Sequence, residues 1–253
     1  MKHVFGPVPS RRLGFSLGVD PVVPKTCTLD CIYCELGPTT NTTVERKPYV
    51  SIDGILEELG ARLAEHPQLD FITVSGSGEP TLNSDIGRLI DGIKAMTDVP
   101  VAVLTNGTLL TDPDVRAALA RADVVAPSLD AVSKGAFERV NRPHESLDPA
   151  AIADALVAFA REYHGKIWLE VLFVEGLNDD SGEIERIAGI IDAVRPEKVH
   201  VNTVVRPPAE RNAHPLSQER LQEIADRFGP TAVVIASATG SSQPRAERDA
   251  SDV

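Results

Sequence analysis

Cysteine is scarce in this chain: there are three, all within the nine residues 26–34. An odd number with none elsewhere argues against a framework of paired disulfides. Clustered, unpaired thiols fit a reducing compartment. Aromatic residues make up 4% of the 253 residues, too few for the row of stacking platforms that a single-stranded nucleic-acid groove uses. Basic residues are outnumbered, 25 Lys and Arg against 37 Asp and Glu, for a formal net charge of −12. A field of that sign opposes broad attachment to phosphate backbones. No stretch reaches about eighteen uncharged apolar residues, the length of a membrane span. Residues 1–7 lack the apolar core of a secretory signal. The expectation is a soluble, cytoplasmic protein with no membrane partner.

What is present is an alternation. Hydrophobic residues are 42% of the chain, enough to bury a substantial core. Short apolar runs within 16–24, 71–74, 101–104, 124–126, 167–174, 198–205 and 231–235 read as strands. Between them, apolar residues recur at three and four positions, which predicts amphipathic helices. Their start signals are Ser51, then Asn83 or Ser84, then Thr111 with Pro113 in the first turn. Next come Asp148 followed by Pro149, Asp180 with Glu183 as a capping box, and Ser217 with Leu216 stapled onto Leu221. Such an order predicts an α/β fold with a parallel sheet and right-handed crossovers. Periodicity leaves an open doubly wound sheet and a barrel equally possible. No linker divides residues 1–239, and the polar residues 240–253 read as a disordered tail.

Ligands of such folds are expected at the C-terminal ends of the strands. There the sequence places residues 75–80 (Ser-Gly-Ser-Gly-Glu-Pro), 105–107 (Thr-Asn-Gly) and 128–130 (Ser-Leu-Asp). Two closely spaced glycines allow a ligand near the backbone, although a tight turn before a helix reads the same. Ser128 and Asp130, two apart in an extended segment, share one side. Glu170 and Asn202 are polar residues among apolar strand neighbours, suited to a ligand or to a buried hydrogen-bond network. The histidines show no metal-ligand spacing. Arg11, Arg12, Arg139 and Arg142 are the candidate anchors for a small anionic substrate, since a guanidinium matches carboxylate or phosphate.

Cys27, Cys31 and Cys34 form a C-x3-C-x2-C pattern. Three thiolates on one loop suit one soft metal centre. Zinc asks for a fourth ligand or a water, whereas an iron–sulfur cube accepts three thiolates and leaves one iron open. This spacing, with Tyr33 just before the last cysteine, resembles the signature of the radical S-adenosylmethionine (radical SAM) enzymes. Residues 6–14, 16–20 and 25–27 are similar to an iron–sulfur oxidoreductase group related to the tRNA-wybutosine synthesis enzymes of that superfamily. The resemblance covers roughly residues 4–236.

The resemblance implies a partial (β/α)6 TIM-like barrel. It implies a [4Fe–4S] cluster on Cys27, Cys31 and Cys34, whose fourth iron takes the amino and carboxylate groups of S-adenosyl-L-methionine. Gly76, Ser77, Gly78 and Glu79 stand where the family holds the cofactor's amino group, Ser77 interrupting the simple glycine pair. Tyr33, Asn106, Ser128, Asp130 and Asn202 complete the implied cofactor contacts. Reductive cleavage to a 5'-deoxyadenosyl radical would follow, with hydrogen abstraction from a small or anionic substrate. The implied partner is a one-electron donor such as a flavodoxin or ferredoxin. Two alternatives stay open: tRNA base modification, and a non-catalytic iron–sulfur or zinc module.

Overall fold

The computed structural model of the chain describes residues 2–10, 12–65 and 68–236. Arg11 and the expected tail at 240–253 lie outside the described residues. An eight-stranded sheet runs in the order β1 (Val4–Ser10), β2 (Gly14–Val19), β5 (Phe71–Val74), β6 (Val101–Thr105), β7 (Val124–Pro127), β8 (Lys166–Phe173), β9 (Lys198–Thr203), β10 (Ala232–Val234). All neighbours pair in parallel except β1, which runs antiparallel to β2. From β2 onward, neighbours follow chain order without reversal, so the sheet has no switch point of the doubly wound kind. The six strands β2 and β5–β9 form the partial TIM-like barrel, with β10 added at one edge and β1 at the other.

The helices form where the sequence places their signals. In α1 (Ile52–Leu63) the Ser51 hydroxyl accepts the Gly54 amide. In α5 (Pro149–Glu162) Asp148 caps Ala151, and in α7 (Gln218–Phe228) Ser217 caps Arg220. Two starts and one capping box differ from expectation. The helix α2 (Ile86–Met96) begins after Asp85, whose side chain makes no cap; Asn83 Oδ1 accepts the Asp85 amide at 2.9 Å, and its Nδ2 donates to the Pro21 carbonyl. The helix α3 (Pro113–Leu119) is capped by Asp112, not Thr111. In α6 (Ser181–Val194) Asp180 caps Glu183, but the Glu183 carboxylate does not close the box. It turns instead to the amides of Val132 and Ser133, at the start of α4 (Lys134–Val140). A tertiary contact with two unpaired amides outcompetes the local one. Strand β1 is absent from the sequence reading because Pro7 and Pro9 speak against a strand; at a sheet edge they are tolerated.

Side-chain alternation splits the core. Leu17, Val19, Ile72, Val74, Val103, Val125, Leu169, Val171, Val199 and Val201 point to the helices and pack on residues such as Ile55, Leu59, Leu89 and Ile187. The other face is the inside of the barrel. Its N-terminal end is plugged by Leu13, Phe71, Ala102, Leu104, Val124, Ala126 and Trp168. The same inner face also carries polar groups. The Ser16 and Thr73 hydroxyls bond there, Arg12 pairs with Glu170, and Asn202 donates to Glu170 at 3.1 Å.

His200 lies on this inner face, 4% exposed, edge-on to Trp168 with ring centroids 5.9 Å apart. Burial, then the charges of Arg12 and Lys198, lower its pKa from 6.5 to about 4. Between those values the unfolded chain takes up a proton that the folded chain refuses. The stability tied to neutral His200 is therefore complete above pH 6.5 and is lost as pH falls through about 4. Urea unfolding of the cofactor-free chain should show it. Relative to wild type, His200→Leu should remove up to about 3 kcal/mol of the stability lost on acidification. Parallel pH profiles for the two proteins would refute this.

Candidate functional site

The cysteine loop carries almost no secondary structure of its own, so its backbone polar groups need partners from elsewhere. The two-residue strands β3 (Thr26–Cys27) and β4 (Asn41–Thr42) pair across its base. On one side lies the segment after β5. Lys25 donates its amide to the Ser77 carbonyl at 2.7 Å, and Glu79 donates to Thr26 at 3.0 Å. On the other side lies the segment after α4. Asp30 donates to Asn141 at 3.0 Å, Ile32 to Val140 at 3.0 Å, and His144 to Thr28 at 2.9 Å. Within the loop, Cys34 N–H reaches the Cys31 carbonyl at 3.1 Å.

Gly78 is required by close approach of backbone, and Gly76 leaves room for the Asp20 carboxylate. A Cβ on Gly78 would stand 1.9 Å from the Thr26 carbonyl oxygen, and one on Gly76 would stand 2.0 Å from Asp20 Oδ1. Asp20, at the end of β2, was not singled out from the sequence. Its Oδ2 accepts the Ser77 amide at 3.0 Å and the Ser77 hydroxyl at 2.6 Å. An acidic residue just past a strand end was the available signal.

Glu79 and Asp130 were expected to face the cofactor, and the structure engages both carboxylates within the chain. Glu79 is 2% exposed. Its Oε1 accepts the Thr81 amide and hydroxyl and the Thr105 hydroxyl, and its Oε2 accepts the Asn106 amide at 2.7 Å. Asp130 is 5% exposed. Its oxygens accept the Tyr33 hydroxyl, Asn141 Nδ2 at 2.8 Å and the Leu172 amide at 2.9 Å. Burial raises both acids' pKa, and these bonds partly offset it. Buried charge persists only when paired in this way. The two carboxylates thus tie the cysteine loop and its flanking segments to β6 and β8.

Two asparagines stand between these acids and the sulfurs. Asn106 Nδ2 lies 3.5 Å from Cys27 Sγ and 2.8 Å from Thr28 Oγ1. Asn141 Nδ2 lies 3.4 Å from Cys31 Sγ. Each cysteine keeps some exposed surface. Burial, then Glu79, pushes the Cys27 thiol up to about 12. Burial, then Asp130, pushes Cys31 well up. A bound cation reverses this, since a coordinating thiol loses its proton outright. Among the described residues, no three Cys, His, Asp or Glu close on a point that would hold a single metal ion.

The remaining predicted residues fall into two groups. Asn106, Ser128 and Asp130 line one small cavity of about 20 Å³ together with Leu29, Phe137 and Asn141. Tyr33 joins them through Asp130. Asn202 is not part of that cavity and bonds to Glu170 instead. The arginines do not converge. Arg12 is inside the barrel with Glu170. Arg139 donates to the Leu177 carbonyl at 3.0 Å, and Arg142 pairs with Glu210 at 2.7 Å. The segment 137–144 that carries Arg139 and Arg142 is the strap that binds the cysteine loop.

Comparison with known proteins agrees with this arrangement. A family model described as the radical SAM superfamily matches residues 22–189. A protein of Brachyspira hyodysenteriae named GTPase Obg is 40% identical over 227 residues, 90% of this chain and 33% of its own length. The chain thus spans a third of that relative. A UPF0026 protein of Methanocaldococcus jannaschii is 32% identical over 230 residues, covering 90% of this chain and 71% of its own. A solved structure of TYW1 with a lysine–pyruvate adduct superposes with a TM-score of 0.63 at 16% identity, over 84% of this chain and 72% of that one.

Gly78→Ala should dislodge the cysteine loop and cost about 2–4 kcal/mol in urea unfolding. Limited proteolysis should show earlier cleavage after Lys25. Gly189 on α6, where an added Cβ meets nothing within 4 Å, serves as control; Gly189→Ala should stabilise by about 0.5–1 kcal/mol. Equal effects of the two substitutions would mean that the loop does not rest on Gly78.

Proposed function

Because the chain belongs to the radical SAM superfamily, and is an enzyme of that superfamily, we propose that Cys27, Cys31 and Cys34 hold three irons of a [4Fe–4S] cluster at which S-adenosyl-L-methionine binds. When bound, that pair supplies one-electron cleavage of the sulfonium and a 5'-deoxyadenosyl radical for hydrogen abstraction. The single observation that carries the assignment is the donor set. These are the chain's only three cysteines, on one loop, two of them facing side-chain amide donors that suit thiolate acceptors. A cluster brings its own width to the space between the sulfurs, which a lone ion does not. Enzyme status sets aside the non-catalytic module.

The chain's own contribution is to hold and shield. Asp20 holds Ser77, and the close approach of Gly78 to the Thr26 carbonyl fixes the segment after β5 against the loop; its glycine backbone would receive the cofactor's amino group. Glu79 positions Asn106, and Asp130 positions Tyr33 and Asn141. Ser128 offers a hydroxyl in the same cavity. The electron comes from a one-electron donor such as a flavodoxin or ferredoxin.

For substrate we favour a small molecule with an anionic group, held inside the barrel. Arg12 and Glu170 form an ion pair there with side chains only 23% and 16% exposed. Beside them the buried His200 Nδ1 has no hydrogen-bond partner among the described residues, an unusual state for a buried polar atom. Arg12 and Lys198, the cations that with burial lower the His200 pKa, would supply the attraction for such an anionic group. Glu170 and Asn202 orient Arg12 rather than meeting the cofactor.

Anaerobic reconstitution should load about four irons per chain and yield methionine and 5'-deoxyadenosine on reduction. Alanine at any of the three cysteines should abolish both. One tetrahedral zinc per chain with no cleavage would overturn the reading. With a deproteinised metabolite extract, Arg12→Gln and Glu170→Gln should lower substrate-dependent turnover by about tenfold or more and spare substrate-independent cleavage. Modification of one species in bulk tRNA, with no response to the extract, would replace the small molecule by a tRNA base.

A further inference from the structure

Two chains of groups run from a buried carboxylate to a sulfur. In the first, Glu79 accepts the Asn106 backbone N–H at 2.7 Å, and the Asn106 side-chain Nδ2 reaches Cys27 Sγ at 3.5 Å. In the second, Asp130 accepts Asn141 Nδ2 at 2.8 Å, and the same nitrogen reaches Cys31 Sγ at 3.4 Å. The orientation of each amide is fixed by other contacts. Asn106 Oδ1 accepts the Thr108 amide at 3.1 Å and hydroxyl at 2.8 Å, so its nitrogen must face the loop. Asn141 is 2% exposed and leaves Oδ1 buried without a partner. Turning the amide over would aim that oxygen at the Asp130 carboxylate and the sulfur, both acceptors. The orphaned oxygen is therefore the cost of keeping N–H on Asp130 and Cys31.

We infer that Asn106 and Asn141 are positioning residues that set the reduction potential of the centre held by Cys27, Cys31 and Cys34. This rests on the cluster reading above and goes beyond it, assigning each of two sulfurs its own side-chain donor. An N–H aimed at a ligand sulfur stabilises the electron-richer, reduced state and raises the potential. Glu79 and Asp130, buried negative charges behind the donors, act in the opposite direction. The asparagines cannot ionise, so their contribution is fixed, and each acts on a different cysteine. Neither is asked to touch the substrate or to move a proton.

The test is an EPR-monitored redox titration of the reconstituted protein without S-adenosylmethionine. Asn106→Ala and Asn141→Ala should each keep wild-type iron and sulfide content and shift the midpoint to more negative potential. The double variant should shift by roughly the sum, because the sulfurs differ. Asn178→Ala is the structural control. Asn178 is fully buried and donates to the carbonyls of Asp130 and Leu172, yet its bonds are to backbone groups and not to sulfur. It should lower stability and leave the midpoint unchanged. Should Asn141→Ala fail to fold, pulsed EPR of wild-type protein labelled with 15N-asparagine should detect coupling to the reduced centre, diminished in Asn106→Ala. Midpoints equal to wild type, shifts toward positive potential, or shifts matched by Asn178→Ala would overturn the inference. Absence of any cluster in wild-type protein would instead overturn the reading on which it rests.

Discussion

The arrangement depends on how a loop without a ladder of its own is held in place. Residues 25–34 satisfy their backbone groups on segments that follow β5 and α4, far away in sequence. The tightest of these contacts is steric. Gly78 must lack a side chain because the Thr26 carbonyl occupies the place where a Cβ would be. Hydrogen bonds and close approach together determine where three sulfurs stand, and the barrel strands act as the rigid frame that delivers the clamping segments.

Electrostatics around the sulfurs is arranged in layers. Thiols come first, then two carboxamides, then two buried carboxylates. Without a metal, the surroundings favour protonated Cys27 and Cys31, since burial and the nearby acids oppose thiolate. A cationic centre changes the sign of that effect, and the same acids become favourable neighbours. The site is thus matched to an occupant of positive charge and mismatched to its own free thiolates. The acids' saturated hydrogen bonds keep their positions independent of the occupant.

The charge of the whole chain and the cations near His200 act in opposite senses. The surface is acidic, with a formal net charge of −12, while Arg12 and Lys198 lie near His200. A global field of this kind disfavours long polyanions; the small anionic substrate proposed above would rely on Arg12 and Lys198 instead. Among the described residues, no helix is long and apolar enough to cross a membrane.

The alternation of strands and helices, most helix starts, and the three cysteines as one ligand set are legible in the sequence. These are local properties: periodicity, capping residues and spacing act within a few positions of the chain. Resemblance in residues 26–34 added the barrel. Only the tertiary structure decided what Glu79, Asp130 and Glu183 do, because a buried carboxylate goes to whichever unpaired donors the packing brings. The partners of Asp20 and Asn141 are hidden for the same reason, lying 57 and 110 residues away. Arg139 and Arg142 read like Arg12 in sequence, yet Arg12 alone of these three lies on the barrel's inner face. Which side of a sheet or loop a charge faces is set by long-range pairing, and that information is absent from the neighbouring residues.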